Sequence, residues 1–141
     1  MKKFVLISCV KKKLNHPAKA QDLYISSLFK KSYAYGKQLN PDEIFILSAK
    51  YFLLKSDDII EPYELTLNNM PTKQVKAWSK DVIEKLGKCT DLQNDHFVFL
   101  AGDKYRRFLL PYIQHYEIPL KGLMMGQQLS WLKKRIGDGS M

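Results

Sequence analysis

"KFVLISC", residues 3–9, is an apolar run with basic flanks and no polar side. A surface strand alternates apolar with polar residues, so an unbroken run points to a strand covered on both faces. "EIFILSA" (43–49) and "HFVFLAG" (96–102) repeat the pattern. Helical stretches separate the three runs, which indicates a mainly parallel sheet. The expected fold is α/β: a single domain over 1–136, a mainly parallel central sheet of about four strands flanked by helices, and a flexible tail over 137–141. A short fourth strand is read at "IPL" (118–120).

The helices follow from periodicity. Ser26 or Ser27 caps one that turns Leu28, Phe29 and Tyr33 inward. Pro71 opens a second, which buries Val75, Trp78, Val82 and Leu86 and is expected to stop at Gly87. In "DKYRRFLLPYIQHY" the residues Tyr105, Phe108, Leu109, Tyr112, Ile113 and Tyr116 form one apolar stripe, with Pro111 expected to kink or end that helix. The last helix, "GQQLSWLKKRI" (126–136), ends in basic residues that suit its C-terminus.

Length and composition narrow the functional classes. A chain of 141 residues, 45% hydrophobic, buries one sizeable core. Its 23 Lys and Arg against 14 Asp and Glu give a net charge of +9, which attracts phosphate-bearing partners. With no apolar run of about 18 residues, no membrane span is expected. Cys9 and Cys89 form no C-x-x-C or Cys/His ligand set, so a cytoplasmic thiol state, no disulfide, no structural zinc and no cofactor are expected. His16, His96 and His115 are scattered and suggest no triad. Gly122 and Gly126 form neither G-x-G-x-x-G nor a Walker loop.

Ligands of open α/β sheets bind outside the carboxyl ends of the strands. The loops expected there carry Ser8, Cys9 and Lys11 to Lys13 after the first strand, "SAKY" and the acidic "DDIIEPYEL" after the second, Gly102 and Asp103 after the third, and "KGLMMGQQL" after the fourth. The segment "SAKYFLLKSDDIIEPYELTL" reads as a long loop packed down by Leu53, Leu54, Ile59 and Ile60, and long ordered loops are usually functional.

Taken together, "L-I-S-C-x-K-K-K-L", "D-L-Y-x-S-x-L-F-x-K", "I-L-S-A-K-Y-x-L-L", "I-E-P-Y-E-L-T-L", "L-A-G-x-x-Y" and "P-L-x-G-L-x-x-G-Q-Q-L-x-W-L" resemble a family of small bacterial and phage proteins of unknown function. The resemblance covers almost the whole chain. Leu47, Ser48, Tyr51, Leu54, Asp58, Pro62, Tyr63 and Leu65 are also similar to a pattern of the peroxide-stress (YaaA-like) family, which implies DNA binding and protection from oxidative damage. "S-C-x-K-K" and "L-S-A-K-Y" resemble, more weakly, the uracil-DNA-glycosylase-like domain of archaeosine-forming tRNA enzymes.

The leading expectation is a nucleic-acid-associated protein that acts on a nucleobase or nucleoside, at the N-glycosidic bond, with DNA ranked before RNA and a nucleotide as the other partner. Such chemistry needs an aromatic to stack on the base, a carboxylate and cations for flanking phosphates. Tyr51 or Tyr63 could stack, Asp58 or Glu61 could supply the carboxylate, Lys11, Lys13 and Lys50 could hold phosphates, and Gln127 or Gln128 could read a base edge. Asp58, Glu61 and Tyr63 are the catalytic candidates. Ser8, Lys11, Lys13, Ser48, Lys50, Tyr51, Gly102, Tyr105, Gly126, Gln127 and Gln128 are the binding candidates. The alternatives are a non-catalytic basic nucleic-acid-binding protein and an interaction or inhibitor protein of a mobile element.

Overall fold

The three unbroken apolar runs form the centre of the sheet. In the computed structural model, which describes residues 1–8 and 12–139, they are β1 (Lys3–Ser8), β3 (Glu43–Ser48) and β6 (His96–Leu100). β1 lies between the other two and pairs parallel with both: Val5 faces Ile44 on one side and Val98 on the other. Each central strand is buried through four or five consecutive residues, as expected of strands covered on both faces.

Alternate residues feed two separate cores. Phe4, Leu6, Phe45, Leu47, Phe97 and Phe99 face α3 (Thr72–Cys89), which buries Val75, Trp78, Val82 and Leu86 against them. Val5, Ile7, Ile44, Ile46, Val98 and Leu100 face the other way, toward α2 (Ser27–Gln38) and α5 (Met125–Gly139). On α2 the approach is so close that a Cβ at Gly36 would lie 3.1 Å from Val5 Cγ1. Burial of each large aliphatic or aromatic side chain contributes about 1.5–3 kcal/mol, so the two helical layers hold the sheet from both sides.

The full sheet order is β4-β3-β1-β6-β7, with β4 (Phe52–Lys55) antiparallel and β7 (His115–Glu117) parallel to their neighbours. The mainly parallel α/β fold is as expected, with five strands where about four were read. Two of the five correct the sequence reading. Residues 52–55, expected in a loop, make an edge strand, and the fourth parallel strand is "HYE" at 115–117 instead of "IPL". A two-stranded antiparallel ribbon outside the main sheet pairs β2 (Ala18–Lys19) with β5 (Ile59–Ile60), and the short α1 (Ala20–Leu23) follows β2.

The helix ends also differ from expectation. α3 continues through Gly87 to Cys89, where the Thr90 N–H and hydroxyl both donate to the Leu86 carbonyl. Gly87 therefore sits inside the helix. The stripe beginning at Tyr105 is no single helix: α4 (Asp103–Arg106) spans one turn and gives way to 3-10 turns around Pro111, whose missing N–H cannot continue an α-helix. Tyr105, Leu109 and Ile113 remain on one buried side, while Tyr112 and Tyr116 are exposed. α5 runs three residues into the expected tail, to Gly139. Among the described residues no helix is long and apolar enough to cross a membrane.

Candidate functional site

The strand order places a topological switch between β1 and β6. The chain leaves β1 through α2 on one face of the sheet to reach β3, and leaves β3 through α3 on the other face to reach β6. Loops that depart in opposite directions open a crevice at the carboxyl ends of the two strands. A cavity of about 660 Å³ occupies that position, within the size range of small-molecule sites.

Its walls come from four directions. Ser8 ends β1, and its hydroxyl accepts a hydrogen bond from the Gly102 N–H at 3.0 Å, tying the β1 exit to the β6 exit. Phe99, Leu100, Ala101 and Tyr105 supply an apolar side. Ser26, Ser27 and Leu28, the cap and first turn of α2, supply another, with Ser32 one turn further along. Ile118, Leu120, Gly122 and Leu123, then Met125, Gln128 and Leu129 of α5, close the remaining side. Gly122 turns the chain there at φ +83°, a conformation glycine adopts without strain.

Charge enters through Lys12, Arg106 and Asp103. The Arg106 side chain is only 16% exposed; its guanidinium donates to the Ala101 carbonyl at 2.6 Å and lies 3.9 Å from the Asp103 carboxylate. Arg107 binds the same carboxylate. Two arginines thus share one acid, and with Lys12 the cavity is cationic.

The residues singled out from sequence fall into separate groups. Ser8, Gly102, Tyr105 and Gln128 line the cavity. The Tyr105 hydroxyl is turned toward the Thr66 hydroxyl and accepts from the Leu67 N–H at 3.3 Å, while its buried ring packs edge-on against Trp78. Gln128 donates to the Leu123 carbonyl at 2.9 Å. Gln127 accepts from the Met124 N–H at 2.9 Å, which makes it a helix-start residue, and Gly126 lies beside it on α5. Lys11, with Cys9, lies outside the described residues.

Ser48, Tyr51, Tyr63, Lys13 and Lys50 gather into a second cluster at the end of β3. The Tyr63 hydroxyl is 2.6 Å from that of Tyr24 and accepts from the Ser48 hydroxyl at 2.9 Å. Ser48 also accepts from the Tyr51 N–H at 2.9 Å, and its carbonyl takes the Trp78 indole N–H at 2.9 Å. Lys13 Nζ stands 4.6 Å from the Tyr63 ring centre and Lys50 Nζ 5.4 Å from that of Tyr51. None of these side chains lines the cavity.

The two acidic candidates are elsewhere. β4 runs back along β3, Lys55 opposite Phe45, and so carries the chain to the amino end of the sheet. There the Asp58 carboxylate accepts from the Lys55 N–H at 2.8 Å and closes a turn. Glu61 is exposed on the return path, where its backbone N–H donates to the Tyr51 hydroxyl at 3.3 Å. Neither carboxylate reaches the cavity. Asp103 does, together with Lys12, both named from sequence as residues of the carboxyl-end loops, and with Arg106 and Ser32, which sequence reasoning did not select. The α2 cap was legible as "SS" before an apolar turn; nothing marked Ser32. Cys89 is exposed, and partial burial of its sulfur raises the thiol pKa, the opposite of what a nucleophile requires.

The fold and cavity define a doubly wound α/β domain with a cationic, apolar-walled cavity at its switch point. Residues 4–134 match the family of unknown function DUF6884, and the chain belongs to that family. It is similar to the uncharacterized protein YfjM of Bacillus subtilis, with 29% identity over 150 aligned residues that cover 98% of this chain and 97% of that protein.

Proposed function

We propose that the protein receives a nucleobase-bearing unit of nucleic acid in the cavity between β1 and β6. The observation that carries this reading is the composition of the cavity: the apolar flank of Leu28, Ala101, Ile118 and Leu123 suits the face of a base, and Lys12 and Arg106 suit the phosphates beside it. The net charge of +9 favours approach of a polyanion. The partial likeness of its motifs to YaaA-like and uracil-DNA-glycosylase-like proteins supports the same class of partner.

Action at an N-glycosidic bond requires a carboxylate near the base to steer water or stabilise charge on the sugar. Among the residues lining the cavity Asp103 has that chemistry, and it takes the role that the sequence suggested for Asp58 or Glu61.

The test is incubation with single- and double-stranded DNA and RNA, with mass spectrometry for released bases and a salt titration of binding. Gly102→Trp is the blocking variant, because Gly102 lines the cavity and a Cβ there meets nothing within 4 Å, which leaves room for a bulky ring at its mouth. Salt-sensitive binding that the blocked variant loses supports the reading. Base release that also disappears in Asp103→Asn makes the protein an enzyme, whereas binding without release makes it a binding module. Equal binding by the blocked variant and the native chain refutes the cavity as the site.

A further inference from the structure

The cavity has a polar end and a deep end, and the two differ in what they can bind. The polar end is formed by the starts of two full-length helices. In α2 the Ser26 hydroxyl accepts from the Phe29 N–H at 3.2 Å and the Ser26 carbonyl from the Lys30 N–H at 3.1 Å. The Ser27 and Leu28 amides have no acceptor among the described residues. In α5 the Gln127 side chain takes the Met124 N–H and the Met124 carbonyl takes the Gln128 N–H, which leaves the Met125, Gly126 and Gln127 amides without one. Free amides at a helix start carry the positive end of its dipole, and here two such starts border one cavity that also contains Arg106 and Lys12.

The deep end is marked by Ser32. It lies one turn beyond Leu28 on the same side of α2, lines the cavity and is only 2% exposed, yet its hydroxyl has no hydrogen-bond partner among the described residues. The fully buried unpaired hydroxyl among the described residues is that of Ser79, so the Ser32 oxygen keeps some access to the cavity it lines, where a ligand atom can meet it.

We infer that the ligand is a nucleotide held by its phosphate between the starts of α2 and α5, with a polar atom of its base or sugar hydrogen-bonded to Ser32. This rests on the nucleobase reading and adds to it the phosphate's position and the residue that meets the buried end. Asp103 also lines the cavity, but Arg106 and Arg107 share its charge, which leaves the site attractive to an anion.

The experiment is calorimetric titration with the four nucleoside 5′-monophosphates, the matching nucleosides and inorganic phosphate. Monophosphates are expected to bind about ten-fold tighter than their nucleosides or better, with the margin narrowing as salt rises, and inorganic phosphate to compete with them. Ser27→Pro deletes one amide donor where proline fits: Ser27 is the first helical residue, and Ser26 before it is already extended at ψ 151°. Compared with Ser27→Ala, which keeps the amide, it should weaken monophosphates about ten-fold and leave nucleosides unchanged. Ser32→Ala should weaken both kinds of ligand by the same factor, about five-fold.

Nucleosides binding as tightly as monophosphates would overturn the phosphate assignment and leave the nucleobase reading standing. Equal monophosphate affinity in Ser27→Pro and Ser27→Ala would overturn the role of the α2 start. Unchanged affinity in Ser32→Ala would overturn the role of Ser32. Binding of none of the probes removes this inference and leaves the nucleobase reading to be decided by the strand-binding test.

Discussion

Replacing Tyr63 by Phe separates a structural tyrosine from a functional one. The substitution removes one oxygen and keeps the ring, so the edge-on contacts with Tyr24 (6.4 Å between centres) and Tyr51 (5.7 Å) survive and almost no void forms. What disappears is the hydroxyl that pairs with Tyr24 and Ser48 at 2.6 and 2.9 Å. Each such bond contributes about 1 kcal/mol net, and Tyr24 and Ser48 are buried, so water cannot fully replace the lost partner. The expected destabilisation is about 2 kcal/mol, which lowers the melting temperature by about 4–8 °C in a chain of this size. Urea unfolding followed by tyrosine and tryptophan fluorescence measures it, and nucleotide titration of the same sample should show unchanged affinity, because Tyr63 does not line the cavity. A variant that melts like the native protein but no longer binds would sink this argument and make Tyr63 a ligand residue after all.

Other substitutions test the packing directly. Ser79→Ala should stabilise by about 1 kcal/mol in denaturant melts, since the Ser79 hydroxyl is buried without a partner among the described residues and alanine is the better helix former. Gly87→Ala should add about 0.5–1 kcal/mol, because the residue is inside α3 and the new methyl would touch Leu92 Cδ1 at an ordinary 3.5 Å; a loss of stability would show that the helix does end there. Trp78→Phe deletes the indole donor to the buried Ser48 carbonyl and should cost about 1–3 kcal/mol, with a smaller loss arguing that water reaches that carbonyl. Acidification should loosen the turn at Asp91: its carboxylate accepts from Asn94 and the Gln93 amide, which lowers its pKa. The turn's stabilisation is then present above the ordinary aspartate pKa and lost as pH falls through the depressed one, as amide exchange at Gln93 and Asn94 would register.

The parts of the fold that were legible are those whose burial is symmetric. β1, β3 and β6 lie between two helical layers and must be apolar on both faces, so their sequences declare them. The edges carry no such constraint. β7 is exposed at all three residues and reads as loop, while the more apolar "IPL" beside it was taken for the strand. β4 holds only one fully buried residue, Leu54, inside a stretch rich in charge. Pro111 was read correctly as a break, but the tight turns around it keep a three- to four-residue spacing, so the apolar stripe was read as a helix kinked or ended at Pro111 where α4 spans a single turn.

The same asymmetry decides where the charged candidates come to lie. Charged and aromatic residues attract notice, and "KSDDIIEPYE" holds many of them, but where a loop delivers its side chains depends on the direction in which the chain leaves the strand. A turn at residues 49–51 sends β4 back antiparallel, so Asp58 arrives at the amino end of the sheet and the tyrosines are used to brace the return. The switch point, fixed by which face each crossover takes, falls instead between β1 and β6, where the chain offers Ser8, Ala101 and Gly102. Small residues there are what a cavity requires, since a larger side chain would fill it. On the proposed reading, binding draws on backbone amides at helix starts and on one arginine, features that composition and motif spacing do not display.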